Sequence, residues 1–221
     1  MTKFSGIEPH QKKQEPDHAW FVVAGIEAAS VRAHNKWTSY TAFANGPANH
    51  DGAVWAARIE ERCVLTIRKA KCDDAFDAWD IRKTSVHAAC AKHYRRATLS
   101  AWVDGSPSDK WVSVVERDFY VAVDRGSVVG TGMLTLASGQ IDAIFVRPSH
   151  MGRGIGRKML DFLQALAADH GLDAMRLDAT LNAAPFYRNC GWSGDSVSTY
   201  RTTRGLELAC VPMTKFVIVG G

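Results

Sequence analysis

From residue 63 onward the spacing of apolar positions changes period several times, and each change marks an element. Val64, Leu65, Thr66, Ile67 and Arg68 alternate as a first strand, after which Asp73 or Asp74 can cap a helix carrying Trp79, Val86 and Cys90 to about His93. A short helix follows near residues 98–103. Ser106 and Pro107 can open another that carries Trp111 and Val115, because proline is tolerated in a first turn. Residues 119–123 and 128–136 are rich in β-branched side chains and flank Asp124, Arg125, Gly126 and Ser127, the composition of a hairpin turn. Ser138 and Gly139 turn the chain again into residues 140–146, so three strands in succession predict an antiparallel meander.

The pattern then switches. Pro148 and a glycine-rich turn lead into a helix over residues 154–170, with Met159, Leu160, Leu163 and Leu166 or Ala167 on one face and Gly171 at its end. Residues 174–179 predict a buried strand, 183–189 a short helix and 206–216 a final strand. The expected fold class is therefore α/β in the mixed α+β sense: a central mixed sheet, mostly antiparallel, flanked by helices. In it a meander passes into a strand, helix, strand unit.

Residues 1–62 read differently. Residues 1–18 are polar and predict a mobile tail, 19–36 are alanine-rich and suit a helix, and 45–52 are dense in turn formers. The aromatic residues Trp20, Trp37, Tyr40, Phe43 and Trp55 are expected to pack against the main domain. The chain of 221 residues thus predicts one domain, residues 63–221, with an N-terminal extension of unknown role, residues 1–62.

Composition narrows the chemistry. The apolar run over residues 19–26 is stopped by Glu27 and is too short to span a bilayer, so no membrane partner is expected and the cytoplasm is the expected compartment. Five cysteines without a C-x-x-C pair argue against a disulfide framework and against zinc, and no metal is expected. Residues 1–62 hold seven basic and seven acidic groups, so the whole net charge of +4 lies after residue 62. That excess suits an anionic small molecule, and without a long basic run or an aromatic ladder it disfavours nucleic acid.

The junction before the long helix carries the chemistry. Gly152, Gly154 and Gly156 remove side chains where the backbone turns, and the turn opens a helix whose first amides lack internal partners. Unpaired N–H groups and the positive end of the helix dipole face one point, with Arg153, Arg157 and Lys158 around it: an anion site.

The flanks of this turn carry a resemblance. Residues 141–156, from Ile141 and Asp142 through Arg147 and Pro148 to Met151-Gly152-Arg153-Gly154-Ile155-Gly156, resemble the signature strand and Q/R-x-x-G-x-G/A loop of the GNAT superfamily of acyl-CoA N-acetyltransferases, in its small bacterial type. Asn182-Ala183-Ala184-Pro185-Phe186-Tyr187-Arg188-Asn189-Cys190-Gly191-Trp192 resembles the family's N-x-x-A-x-x-F-Y-x-x-x-G-F segment, and Met213-Thr214-Lys215 its closing strand. The resemblance covers residues 63–216. Met151 departs from the usual Gln or Arg, and the second motif's alanine is shifted, with Pro185 directly before Phe186 and Tyr187.

The resemblance implies the GNAT fold and acetyl-CoA as cosubstrate. It implies that the backbone of Ile144, Phe145 and Val146 pairs with the pantetheine arm. The amides of Met151, Gly152, Arg153, Gly154, Ile155, Gly156 and Arg157 take the pyrophosphate, and Asn182 bonds the coenzyme from the other side. Tyr187 also lies against the coenzyme, as general acid toward the leaving thiolate. A free alkylamine has a pKa of about 10.4 and needs a base, for which Asp142 is the first candidate and Glu116 the reserve.

The expected activity is transfer of an acetyl group to a primary amine of a small molecule, an antibiotic or polyamine-like acceptor among them, by direct attack. The alternatives are a non-catalytic acetyl-CoA-binding sensor module and an acetyltransferase acting on a protein or peptide amine. Tyr94, Trp102, Trp111 and Trp192 are candidates for an aromatic acceptor wall, and Asp104, Asp109, Glu116 and Asp195 for attraction of a cationic amine. A homodimer is left open.

Overall fold

A computed structural model describes residues 65–202 and 205–217. The extension over residues 1–62 and the predicted strand start at Val64 lie outside the described residues. The chain forms β1 (Thr66–Lys69), a 3-10 turn (Cys72–Asp74), α1 (Ala75–Cys90), α2 (Arg96–Trp102), α3 (Asp109–Asp118), β2 (Phe119–Asp124), β3 (Ser127–Thr135) and β4 (Gln140–Val146). A second 3-10 turn (Pro148–His150) precedes α4 (Ile155–Asp169), β5 (Ala174–Thr180), α5 (Ala184–Asn189), β6 (Ser198–Arg201) and β7 (Glu207–Phe216).

The seven strands form one sheet in the order β1-β2-β3-β4-β5-β7-β6. Every neighbouring pair is antiparallel except β4 and β5, which α4 joins as a parallel crossover. The mixed, mostly antiparallel sheet flanked by helices is the fold class read from the residue pattern.

Both faces are covered, and alternation along each strand sorts the side chains between two cores. On one face α4 lays Ile155, Met159, Leu160, Leu163 and Ala167 over Val129, Leu134, Ile144, Leu177 and Met213. The approach is close at Gly132 of β3, where an added Cβ would stand 2.6 Å from the Met159 sulfur, so this strand position is small because a helix lies on it. On the other face α1, α2 and α3 pack Ile81, Val86, Cys90, Leu99, Trp102, Trp111 and Val115 over Phe119, Val121, Met133, Phe145 and Leu208.

Local chemistry fixes the ends of these helices. Asp74 accepts from the Lys71 amide at 2.7 Å and from the Arg68 guanidinium at 2.7 and 2.9 Å, which holds its carboxyl below the usual range. The start of α3 differs from the expected one. Ser108 is the N-cap and its hydroxyl accepts from the Trp111 amide at 3.3 Å, so Pro107 precedes the helix.

β6 was not read from the pattern; it is a four-residue edge strand with mostly exposed side chains, too short and too polar to show a period. Among the described residues no helix is long and apolar enough to cross a membrane.

Candidate functional site

β4 and β5 share a single rung, Gln140 with Arg176, reinforced by the Arg176 amide donating to the Gly139 carbonyl at 2.8 Å. Beyond it the two strands part. Ala143 to Val146 keep their partners in β3 and have none in β5, so backbone groups along this edge are left for something else. The side chains of Ile144, Phe145 and Val146 are fully buried, which anchors the edge on both cores.

Just where β4 ends, the glycine-rich turn opens. Gly152 and Gly154 have φ of 75° and 78°, the left-handed region that favours glycine, and a Cβ added at either would meet nothing within 4 Å. The glycines are therefore required by backbone conformation, and the space in front of them is open. The first hydrogen bond inside α4 runs from the Lys158 amide to the Gly154 carbonyl at 3.0 Å, which leaves the preceding amides of the helix start without helical partners. Arg153 and Lys158 turn to a cavity of about 470 Å³ shared with the β2–β3 hairpin, whereas Arg157 bonds Asp161 at 3.0 Å and the Cys190 sulfur at 3.5 Å.

Asn182 and Tyr187 sit on the turn after β5 and on α5. Tyr187 is fully buried, its ring between Phe186 (centroids 5.0 Å) and Trp192 (6.0 Å), and its hydroxyl has no hydrogen-bond partner among the described residues. Burial pushes the phenol well above its ordinary pKa, so it keeps its proton. An orphaned buried hydroxyl costs about 1–3 kcal/mol, and such a group in a folded protein calls for an explanation.

Asp142 is the extra residue of a bulge in β4. Met133 pairs with Ala143 and Leu134 with Ile141, so nothing stands opposite Asp142, whose carboxylate accepts from the Thr135 hydroxyl at 2.5 Å. Glu116 stands apart: it is exposed on α3, which packs against the first 3-10 turn, α1, β2 and β3. The edge from Ile144 to Val146 thus runs toward the turn from Met151 to Arg157 with Asp142 at its start, while Tyr187 lies buried in the α4-side core and Asn182 follows the end of β5.

Sequence reasoning missed how β5 ends beside the gap that parts it from β4. The Tyr94 hydroxyl donates to the Ala209 carbonyl at 2.6 Å and accepts from the Leu181 amide at 3.0 Å. In the β5–β7 register, which ends at Thr180 with Cys210, Leu181 and Ala209 are the next pair. The phenol therefore replaces a backbone rung and releases the chain toward α5. The Cys90 thiol adds a contact to the Asn182 side-chain oxygen at 3.2 Å.

The expected aromatic wall is corrected by the packing. Trp111 is core, donating to the Ala75 carbonyl at 2.7 Å and meeting Trp79 and Phe119 edge-on, and Trp192 is buried on the opposite face of the sheet. Among the described residues no three His, Cys, Asp or Glu side chains are grouped to hold a metal ion.

Residues 116–193 match the acetyltransferase (GNAT) domain family. The chain is 32% identical over 79 residues to the uncharacterized N-acetyltransferase YjcF of Bacillus subtilis, a match that spans 35% of this chain and 56% of that protein. Among solved structures, the GCN5-related N-acetyltransferase from Rhodopseudomonas palustris superposes with a TM-score of 0.64 at 26% identity, covering 69% of this chain and 96% of that one. YncA from Salmonella typhimurium, solved with its cofactor acetyl-CoA, has the same fold at a TM-score of 0.53 and 20% identity, over 72% of this chain and 96% of its own. On these grounds residues 116–193 carry an acetyltransferase (GNAT) domain, and the described residues have the fold of a GCN5-related N-acetyltransferase.

Proposed function

We propose that the protein transfers an acetyl group from acetyl-CoA to a primary amine of a small-molecule acceptor by direct attack. One observation carries the reading: the parted edge of β4 runs into a helix start whose leading amides lack helical partners. An extended amide-bearing arm that ends in a diphosphate satisfies both features, because edge groups of a strand take the amides and the helix start takes the negative charge. The open space in front of Gly152 and Gly154 fits the same group. Acetyl-CoA supplies the activated acetyl group when bound.

The chain's own residues do the rest in this reading. Ile144, Phe145 and Val146 hold the arm through backbone, Met151 to Arg157 seat the diphosphate, and Asn182 closes the site from β5. Tyr187 holds a proton at Oη for the departing thiolate. Asp142, fixed by Thr135, accepts the proton of the amine, which at neutral pH is mostly charged.

A thiol-release assay with acetyl-CoA against a panel of small amines, antibiotics and peptides tests the reading. Turnover is expected with at least one small amine, and Asp142→Asn is expected to reduce it. Coenzyme binding without turnover on any acceptor would make the protein a binding module, and turnover on peptides alone would move the acceptor to a protein amine.

A further inference from the structure

Asp178 of β5 is a carboxylate for which acetyl transfer as described above has no use. It lies two residues past the single β4–β5 rung, where the strands have begun to part. Leu177 and Ala179 on either side are buried in the α4-side core, so alternation turns Asp178 to the opposite, α1-covered face. Continuing the rung by two residues brings it level with Asp142 of β4. Asp142 is bound by Thr135, which is two residues beyond Met133, a member of the α1-side core, so both carboxylates open on one side of the gap.

Asp178 is mostly shielded from water and poorly partnered. Its one hydrogen-bonding contact among the described residues is the Cys210 thiol at a long 3.9 Å, and no cationic side chain pairs with it there. Burying a carboxylate without a counter-charge is costly, and a ligand that brings a positive charge relieves that cost. The ring carbons of Tyr94 and Tyr200 pack partly buried against the same core, and aromatic faces suit an ammonium group.

We propose that Asp178 is the docking carboxylate for the acceptor, and that the acceptor is a cationic alkylamine drawn to the α1 face of the gap. This rests on the acetyl-transfer reading and names its substrate class. Asp178 pairs with the ammonium and brings it beside Asp142; neutral acceptors of the same shape lack that anchor.

Calorimetric titration with 1,4-diaminobutane and with 1,4-butanediol tests the assignment, each with and without saturating coenzyme A, which carries no acetyl group to transfer. Wild-type protein is expected to bind the diamine well above the diol. Asp178→Asn is expected to weaken diamine binding at least tenfold without altering the diol, and Asp178→Glu to retain most of the affinity. Circular dichroism checks that each variant is folded. Equal diamine affinity in wild type and Asp178→Asn, or no preference for diamine over diol in wild type, overturns the proposal. Failure of coenzyme A to bind either protein counts instead against acetyl transfer, and the titration without coenzyme still decides Asp178.

Discussion

The two sides of the β4–β5 gap are built from different materials. At the α4 end the site is backbone: two glycines in left-handed conformation, a helix start whose leading amides lack helical partners, and a strand edge that pairs with β5 at one rung only among the described residues. On the α1 face it is side chain: a carboxylate at a bulge and the shielded Asp178, with the Tyr94 hydroxyl ending the β5–β7 ladder beside them. A backbone site is broken by changing chain conformation or filling its space. A side-chain site is broken by removing single atoms, and its strength follows protonation.

The largest effect is expected at the backbone side. Gly154→Glu puts a bulky anion into open space where the coenzyme's phosphates are expected, and adds left-handed strain of order 1–3 kcal/mol. The rise in melting temperature caused by acetyl-CoA should vanish. Gly154→Asn, which tolerates the left-handed region, should keep most of it. An undiminished acetyl-CoA response in Gly154→Glu would place the diphosphate elsewhere.

Tyr187→Phe comes next and crosses from one material to the other, since the proposed role has a side chain act on the coenzyme. The ring and its contacts with Phe186 and Trp192 remain, and only an unpartnered hydroxyl is lost. Turnover should fall roughly ten- to a thousandfold with little change in acetyl-CoA affinity, the pattern of a group that acts in the transition state. Removal of an orphaned hydroxyl with no other use would instead leave turnover intact and raise stability.

Tyr94→Phe should act more weakly and through geometry. It leaves the Leu181 amide and the Ala209 carbonyl without their shared partner, a cost of about 1–3 kcal/mol, and loosens the turn that carries Asn182. Expected is a drop in kcat of about tenfold together with a raised KM for acetyl-CoA, measured by steady-state kinetics below the variant's melting range. A loss of stability alone, with both constants unchanged, would reduce Tyr94 to a strand terminator.

This contrast also explains what the residue pattern could convey. The turn was legible because its conformation is set by local backbone, and glycine spacing, the following helical period and the flanking motifs lie within residues 141–192. The meander and crossover were legible for the same reason, through alternation and period. The wedge of Tyr94 was not, because it depends on a contact 115 residues away at Ala209. Asp178 reads as a polar break in a strand, and only the parting of β4 from β5 gives it meaning. Trp111 and Trp192 misled because composition does not tell whether an aromatic ring lines an open site or is buried in one of the two cores.

The smallest expected effect is also the one that best separates the two materials, because it predicts a gain. Burial raises the Asp178 carboxyl above its ordinary range, with the Cys210 thiol acting weakly in the other direction. A group whose folded pKa is raised contributes stability while it is protonated and loses that contribution as pH rises through its folded value. Asp178 therefore costs stability at neutral pH and costs none in acid. Asp178→Asn, neutral at every pH, should melt a few degrees higher than wild type near pH 7, at roughly 2–4 °C per kcal/mol for a chain of this size, and the gain should shrink toward zero as pH falls below the carboxylate range. The Cys210 thiol, held up at about 11 by burial first and by the Asp178 charge second, should titrate lower in the variant, which thiol alkylation across alkaline pH would detect. Higher stability joined to weaker diamine binding is the mark of a charge kept for a ligand. A lower melting temperature at neutral pH would mean that the carboxylate serves the fold, through Cys210, and that the α1 side of the gap is held by packing in the same way as the rest of that core.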